Sequence, residues 1–273
     1  MQEVLDEIVP IKIIRNIGRF AEIKPFAQGD KPVFKVKAGK SRAKKFITKA
    51  GLSSNYDTFT LDNTFIDVST TAYGGAGYLE LERYLDGQVD FADIVEIVAE
   101  GLEDAVYKEI WTAMAAAYSA FSASANRQTG NAWDYAKFAK LATTIKAYGD
   151  NPTCLCFPEW AATIAPATSS WYNVADNTDM RERGYLGRVG GVDVVVMNQS
   201  FVDETNATKV FDPQYAFLMP SDERVVKVAI EGNTIVKDYE DRDGSMEISA
   251  YRKFGIAIVA YNNWAIFQNT AVV

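Results

Sequence analysis

Apolar and polar residues along this chain follow two different periods. Between residues 90 and 121 the period is helical. Phe91, Ile94, Val95, Val98, Leu102, Ala105 and Val106 share one face of a 100° wheel, and Asp93, Glu96, Glu100, Glu103 and Asp104 share the opposite one. Further on, Trp111, Met114 and Tyr118 continue the acidic face with bulky apolar groups. The spacing predicts one helix, about 45 Å long at 1.5 Å per residue. Its first half should be exposed on one side and its second half buried nearly all round.

Elsewhere the period is two. Val33, Lys35 and Lys37 alternate with Phe34, Val36 and Ala38, a strand pattern. The polar, basic run AGKSRAKKFITKAG follows, and then DTFTLDNTFIDVSTTAYG, rich in Thr and aromatics. Residues 27–84 therefore read as a long hairpin or loop, with Gly74, Gly75 and Gly77 as a flexible joint. Residues 1–26 read as an arm. Its piece IVPIKII is short, apolar and interrupted by Pro10, so it needs cover from the body or from a second subunit.

After the long helix, the pattern predicts a polar loop (SASANRQTGN) and a second helix over about 133–148. TCLCF reads as a buried strand, 159–164 as a short helix after Pro158, and 166–180 as a surface loop. GRVGGVDVVVMNQSF is a strand entered through a tight turn, and KVFDPQYAFLMP is another strand region. From Ala216 several β-rich runs follow one another. YEDRDGSME forms a turn between two of them, with Asp243-Gly244 at its tip.

At 273 residues and 48% hydrophobic, the chain can build one large domain or two small ones. Net charge is −8 and the pI about 4.8, which argues against a generally basic nucleic-acid binder. Histidine is absent, which removes the commonest general base and metal ligand. YEDRDGSME misses the calcium-loop pattern, and GRVGGVD fits neither the dinucleotide fingerprint nor a P-loop. No catalytic, cofactor-binding or metal site is expected. Cys154 and Cys156 fall on one face of a strand and read as buried structural thiols, reduced in an intracellular place of synthesis. No apolar run reaches about 18 residues, and acidic residues precede the first apolar stretch, so neither a membrane span nor a secretory signal is expected.

Charge is segregated. Lys24–Lys49 holds nine basic residues and one acidic residue, whereas Asp57–Glu109 holds thirteen acidic and two basic. Three readings are open. The blocks are two solvated surfaces, or the basic segment contacts nucleic acid with Phe34 and Phe46 stacking on bases, or the basic loop of one copy lies over the acidic helix face of the next.

The order of elements is arm, extended loop, long helix, compact α/β region and closing strands. Three stretches carry a likeness: GLEDAVYKEIWTAM; WAATIAPATSSW with RGYLGRVGGVDVVVMNQSF; and DERVVKVAIEGNTIVKDYEDRDGSMEISAYRKFGIAIVAYNNWAIF. On these the chain resembles tailed-bacteriophage major capsid proteins of the Hong Kong 97-like fold. The resemblance implies an α+β fold with an N-terminal arm at 1–26 and an extended loop at 27–84. It implies a peripheral domain with a spine helix at 85–124, a compact axial domain at 125–223, and a return to the peripheral domain over 224–273.

The implied function is a non-enzymatic one: hexamers and pentamers forming an icosahedral shell around double-stranded DNA. The implied place is the virion capsid, assembled in the host bacterial cytoplasm. Implied partners are further copies of the chain, a portal at one vertex and packaged DNA without specific recognition; no cofactor and no membrane are implied. The chain starts with Met and passes almost directly into the arm, so the resemblance implies either a separate scaffolding protein, which the Met slightly favours, or an N-terminal part that has been removed. Candidate intersubunit contacts are Lys35, Lys37, Lys40, Arg42, Lys44 and Lys45 on the loop, and Asp93, Glu96, Glu100, Glu103 and Asp104 on the helix. Some members of the family cross-link a loop lysine to a neighbour's asparagine; Asn262 and Asn263 are available here but match no motif. Two alternatives are an encapsulin-like nanocompartment shell and a carboxylate-based hydrolase or lyase.

Overall fold

The computed structural model describes residues 18, 20–36, 64–79, 83, 85–87, 91–121, 125–148, 151–164, 180, 182–201, 205–221, 224–240, 246–259 and 263–272. The chain divides into two compact units. In chain order the strands of the first are β1 (Ala21–Phe26), β2 (Val33–Val36), β3 (Thr64–Asp67) and β4 (Thr71–Leu79), followed by helix α1 (Phe91–Ala120), whose residues from Met114 on are counted with the second. The second contains β5 (Arg127–Gly130), α2 (Tyr135–Ala147), β6 (Pro152–Cys156), α3 (Pro158–Ala162), β7 (Arg188–Val189), β8 (Val192–Val196) and β9 (Tyr215–Pro220). The chain then gives β10 (Val226–Glu240) and β11 (Met246–Ile258) to the first unit and β12 (Ala265–Asn269) to the second.

The first unit is a four-stranded sheet in the order β1-β10-β11-β4. β10 and β11 form a long antiparallel hairpin from Val226↔Ile258 to Glu240↔Met246. The expected turn thus joins two paired strands, and its tip lies outside the described residues. β1 adds in parallel to β10 at one edge, where Pro25 needs no ladder donor on its outer side. At the other edge β4 pairs with β11, and α1 lies against it. The Tyr73 hydroxyl donates to Glu109 Oε1 at 2.9 Å, and a Cβ at Gly75 would stand 3.9 Å from Val98 Cγ2. Val98, Leu102, Val106 and Ile110 are buried at the spacing of the apolar face, and Trp111 and Met114 are buried on the opposite face, where bulky apolar groups replace the acidic ones.

Three expectations need correction here. Gly74, Gly75 and Gly77 are not a joint; they lie inside β4, in register with Tyr251, Ala250 and Ile248. At Gly74 glycine serves close approach of the neighbouring strand rather than freedom. The second half of α1 is not buried all round, because Thr112, Ala116, Ser119 and Ala120 are exposed. These residues are small or polar and continue the exposed stripe of the first half. Residues 21–26, grouped by pattern with the arm, form β1.

The second unit is a six-stranded sheet in the order β5-β12-β9-β6-β8-β7. β6, β9 and β12 lie in its interior and are almost wholly buried, which is why their sequences are apolar runs without alternation. β12 stands between β5 and β9, so 265–269 belong with this sheet and not with the strands of 224–258 that precede them. The WAIF stretch requires burial on both faces, and this sheet supplies it. Asp134 caps α2, accepting from Ala136 N at 2.9 Å and Lys137 N at 3.3 Å. Phe138, Leu141, Ala142 and Ile145 then fall on its buried face. Trp133 packs edge-on against Trp160 at 5.7 Å, and Phe121 against Trp264 at 4.7 Å. Gly190 (φ 58°) and Gly191 (φ 78°) make the tight turn between β7 and β8. Among the described residues no helix is long and apolar enough to cross a membrane.

Candidate assembly surface

Residues 27–36 and 64–70, the two feet of the predicted extended loop, pair through β2 and β3 in the described structure. Pro32 O accepts from Val68 N at 3.0 Å, and Lys31 forms an ion pair with Asp67. Phe34 is fully buried with Val68 and Ala229, and its ring meets Phe26 edge-on at 5.6 Å. A buried Phe34 cannot stack on a base, which removes one support of the nucleic-acid reading. Phe46 lies outside the described residues.

β10 anchors these feet. Its ladder with β11 is interrupted between Glu231 and Ile235, and Gly232 there has φ 66°. This bulge turns the Glu231 side chain toward the loop root. Glu231 Oε1 accepts from Gly29 N at 3.0 Å and from Lys253 Nζ at 3.4 Å, and Oε2 accepts from the Thr70 hydroxyl. The Thr70 hydroxyl and the Gly29 amide hold this carboxyl below the usual carboxylate range. One edge further, Lys227 is buried and bonds Glu22, which also pairs with Lys24 at 2.7 Å. Burial alone would raise the Glu22 pKa, but the hydrogen bonds from Lys227 and Lys24 outweigh it and lower it.

Of the predicted contact residues, Lys35 lies exposed on β2. Lys37, Lys40, Arg42, Lys44 and Lys45 lie outside the described residues. Asp93 and Glu96 are on the first turns of α1. Glu100 and Asp104 are exposed one turn apart, with Ile97 at 68% exposure on the same stripe. Glu103 does not join them. It is buried, and its Oε1 accepts from the Tyr107 hydroxyl at 2.5 Å. A hydroxyl one turn along the helix gives this carboxylate an inward partner, which a wheel of hydrophobicity does not register. Partial burial, then repulsion from Glu103 and Glu100, raises the Asp104 pKa.

Asn263, a cross-link candidate, is buried in the second unit. Asn262 lies outside the described residues. Cys154 and Cys156 are both buried free thiols, as expected. The hydrogen bond to Cys156, together with complete burial, pushes the Cys154 pKa well up. Among the described residues no three His, Cys, Asp or Glu converge as metal ligands. The pattern reading missed the Glu231 cluster. Its signal was present in IEGN, where a charged residue followed by Gly-Asn interrupts a β-rich run and marks a bulge.

Solved structures place this architecture in a class. A Microbacterium phage Oxtober96 structure matches with TM-score 0.62 at 9% identity, covering 93% of this chain and 90% of that one. The head structure of Helicobacter pylori bacteriophage KHP40 matches with TM-score 0.60 at 13% identity, covering 94% and 91%. A virus-like particle from Pyrococcus furiosus matches with TM-score 0.53 at 11% identity, covering 97% and 98%. The fold is the Hong Kong 97-like capsid fold. No curated protein matches the chain by sequence. Residues 1–266 match the family described as "SPbeta prophage-derived putative capsid protein YonB", and the chain belongs to that family. It is a structural protein of a phage shell, and its place is the virion capsid.

Proposed function

We propose that copies of this chain assemble as hexamers and pentamers into an icosahedral shell around double-stranded DNA. The capsid-family match over 1–266 carries this reading. In this reading the segment before β1 is the arm and the segment between β2 and β3 is the extended loop, both reaching neighbouring copies, while β1 and β4 stay in the sheet. The peripheral domain is 85–124 with 224–259, and the axial domain is 125–223 with 260–273. The work is mechanical and involves no catalytic step. Obligate interfaces of about 2,000 Å² or more accumulate from many modest contacts.

Between copies, Lys35, Lys37, Lys40, Arg42, Lys44 and Lys45 of one loop lie over Asp93, Glu96, Glu100 and Asp104 of the next helix. Two facts support this pairing. Asp104 on the stripe is exposed, with its pKa raised by partial burial and then by repulsion from Glu103 and Glu100, and Ile97 and Phe65 stand 68% and 62% exposed with apolar surface to cover. A scaffolding protein and a portal join assembly in the host bacterial cytoplasm. The net charge of −8 keeps packaged DNA from adhering to the wall. An encapsulin-like compartment has less support, because the matched family is one of capsid proteins. The test is the content of particles purified from producing cells. Nuclease-resistant double-stranded DNA is expected; enzyme cargo without DNA would favour the compartment.

A further inference from the structure

We propose that Glu231 is a positioning residue for shell assembly: its carboxylate latches both feet of the extended loop to the sheet and so fixes the direction in which the loop leaves the body. The inference rests on the shell reading above but concerns a group outside the proposed contact surface. Three elements converge on this one carboxylate. Gly29 N donates to Oε1 from the outgoing foot, the Thr70 hydroxyl donates to Oε2 from the returning foot, and Lys253 Nζ reaches Oε1 from β11. The two feet are 41 positions apart in sequence, and Phe34 and Val68 from them pack on Ala229 of β10 at this root.

Each partner is suited to the task. Gly29 has φ 88°, so the outgoing foot turns in a conformation that L side chains rarely adopt, and this turn aims its amide at Glu231. Gly232 has φ 66° and opens the bulge that aims the side chain; a Cβ there would meet Gln28 Cβ at 3.4 Å. Glu231 itself is buried, 7% exposed, so its bonds are shielded from competing water. A buried carboxylate that bonds both ends of a long excursion does little for the core beneath it, since Phe34, Val68 and Ala229 already pack there. Its distinctive effect is geometric. A loop that must meet a neighbour at a set distance amplifies a small error at its root.

Glu231→Ala and Thr70→Val test the latch through two readings: hydrogen exchange at the Gly29 amide, and the yield and diameter of shells by electron microscopy. Expected are at least ten-fold faster Gly29 exchange in Glu231→Ala, a smaller rise in Thr70→Val, and misassembled or size-heterogeneous particles from subunits that keep their circular dichroism. Unchanged exchange, or fast exchange with shells of wild-type yield and diameter, overturns the proposal. If Glu231→Ala does not fold, Thr70→Val decides by the same two readings. If the wild-type chain forms no shells at all, the shell reading fails, and Gly29 exchange alone decides whether the latch exists.

Discussion

Gly74 on β4 stands opposite Tyr251 on β11 so closely that a Cβ added to it would lie 2.6 Å from Tyr251 Cβ and 2.7 Å from the Ala250 carbonyl oxygen. Both obstacles are at or next to the backbone and cannot swing aside. Gly74→Ala should therefore cost about 1–3 kcal/mol, as overpacking does. Thermal melting of the subunit should fall by roughly 2–4 °C per kcal/mol. Wild-type melting would show that the two strands can spread at no cost.

The Glu22–Lys227 pair sets a pH dependence. Glu22 has a folded pKa below its ordinary value, so its contribution is complete above that ordinary value and is lost as pH falls through the folded one. Asp104 has the opposite sign. Its folded pKa is raised, so its ionisation costs stability as pH rises through the acid range. Glu22→Gln should lower stability at neutral pH by about 1–3 kcal/mol, because it leaves the buried Lys227 short of a partner. It should also flatten the acid limb of a melting-temperature profile. Asp104→Asn should raise the melting temperature slightly at neutral pH, with the gain shrinking in acid. An acid limb unchanged by Glu22→Gln would contradict the assignment.

The two thiols should be silent in the folded subunit. Cys154 and Cys156 are buried, and the Cys154 pKa is raised by its bond to Cys156 and by burial. A thiol-specific chromogenic reagent should titrate no groups in native protein and two after denaturation. Prompt reaction of either thiol in native protein would show that β6 is open.

Much of this was legible in the sequence where the signal is local. The long helix is written in the spacing from Phe91 to Val106, α2 in Asp134 followed by Phe138, Leu141 and Ile145, and the β7–β8 turn in Gly190-Gly191. What was not legible depends on partners distant in sequence. Gly74 reads as a break until Tyr251 is placed opposite it. Glu103 reads as exposed until the Tyr107 hydroxyl is seen to hold it inward. β12 reads as one more closing strand until β5 and β9 flank it. Of the contact surface, the charge blocks were visible at once, whereas the Glu231 latch and the exposed Ile97 required the fold.

If basic loop and acidic helix meet between copies, assembly should weaken as salt rises, since exposed pairs are screened beyond about 8–10 Å at physiological ionic strength. Ile97→Asp should prevent closure while leaving subunit stability within about 0.5 kcal/mol, as expected for a surface site. Sedimentation of the variant, scored beside its melting temperature, separates the two effects. Normal shells from Ile97→Asp would remove this stripe from the interface.

The most direct measurement is electron microscopy of the wild-type protein beside a variant with Lys40, Arg42, Lys44 and Lys45 all changed to Glu. The account predicts round, thin-walled closed shells from the wild type and folded but unassembled subunits from the variant at low salt. A wild-type protein that stays a compact monomer under all assembly conditions would contradict it, and intact shells from the variant would contradict the loop-to-helix pairing.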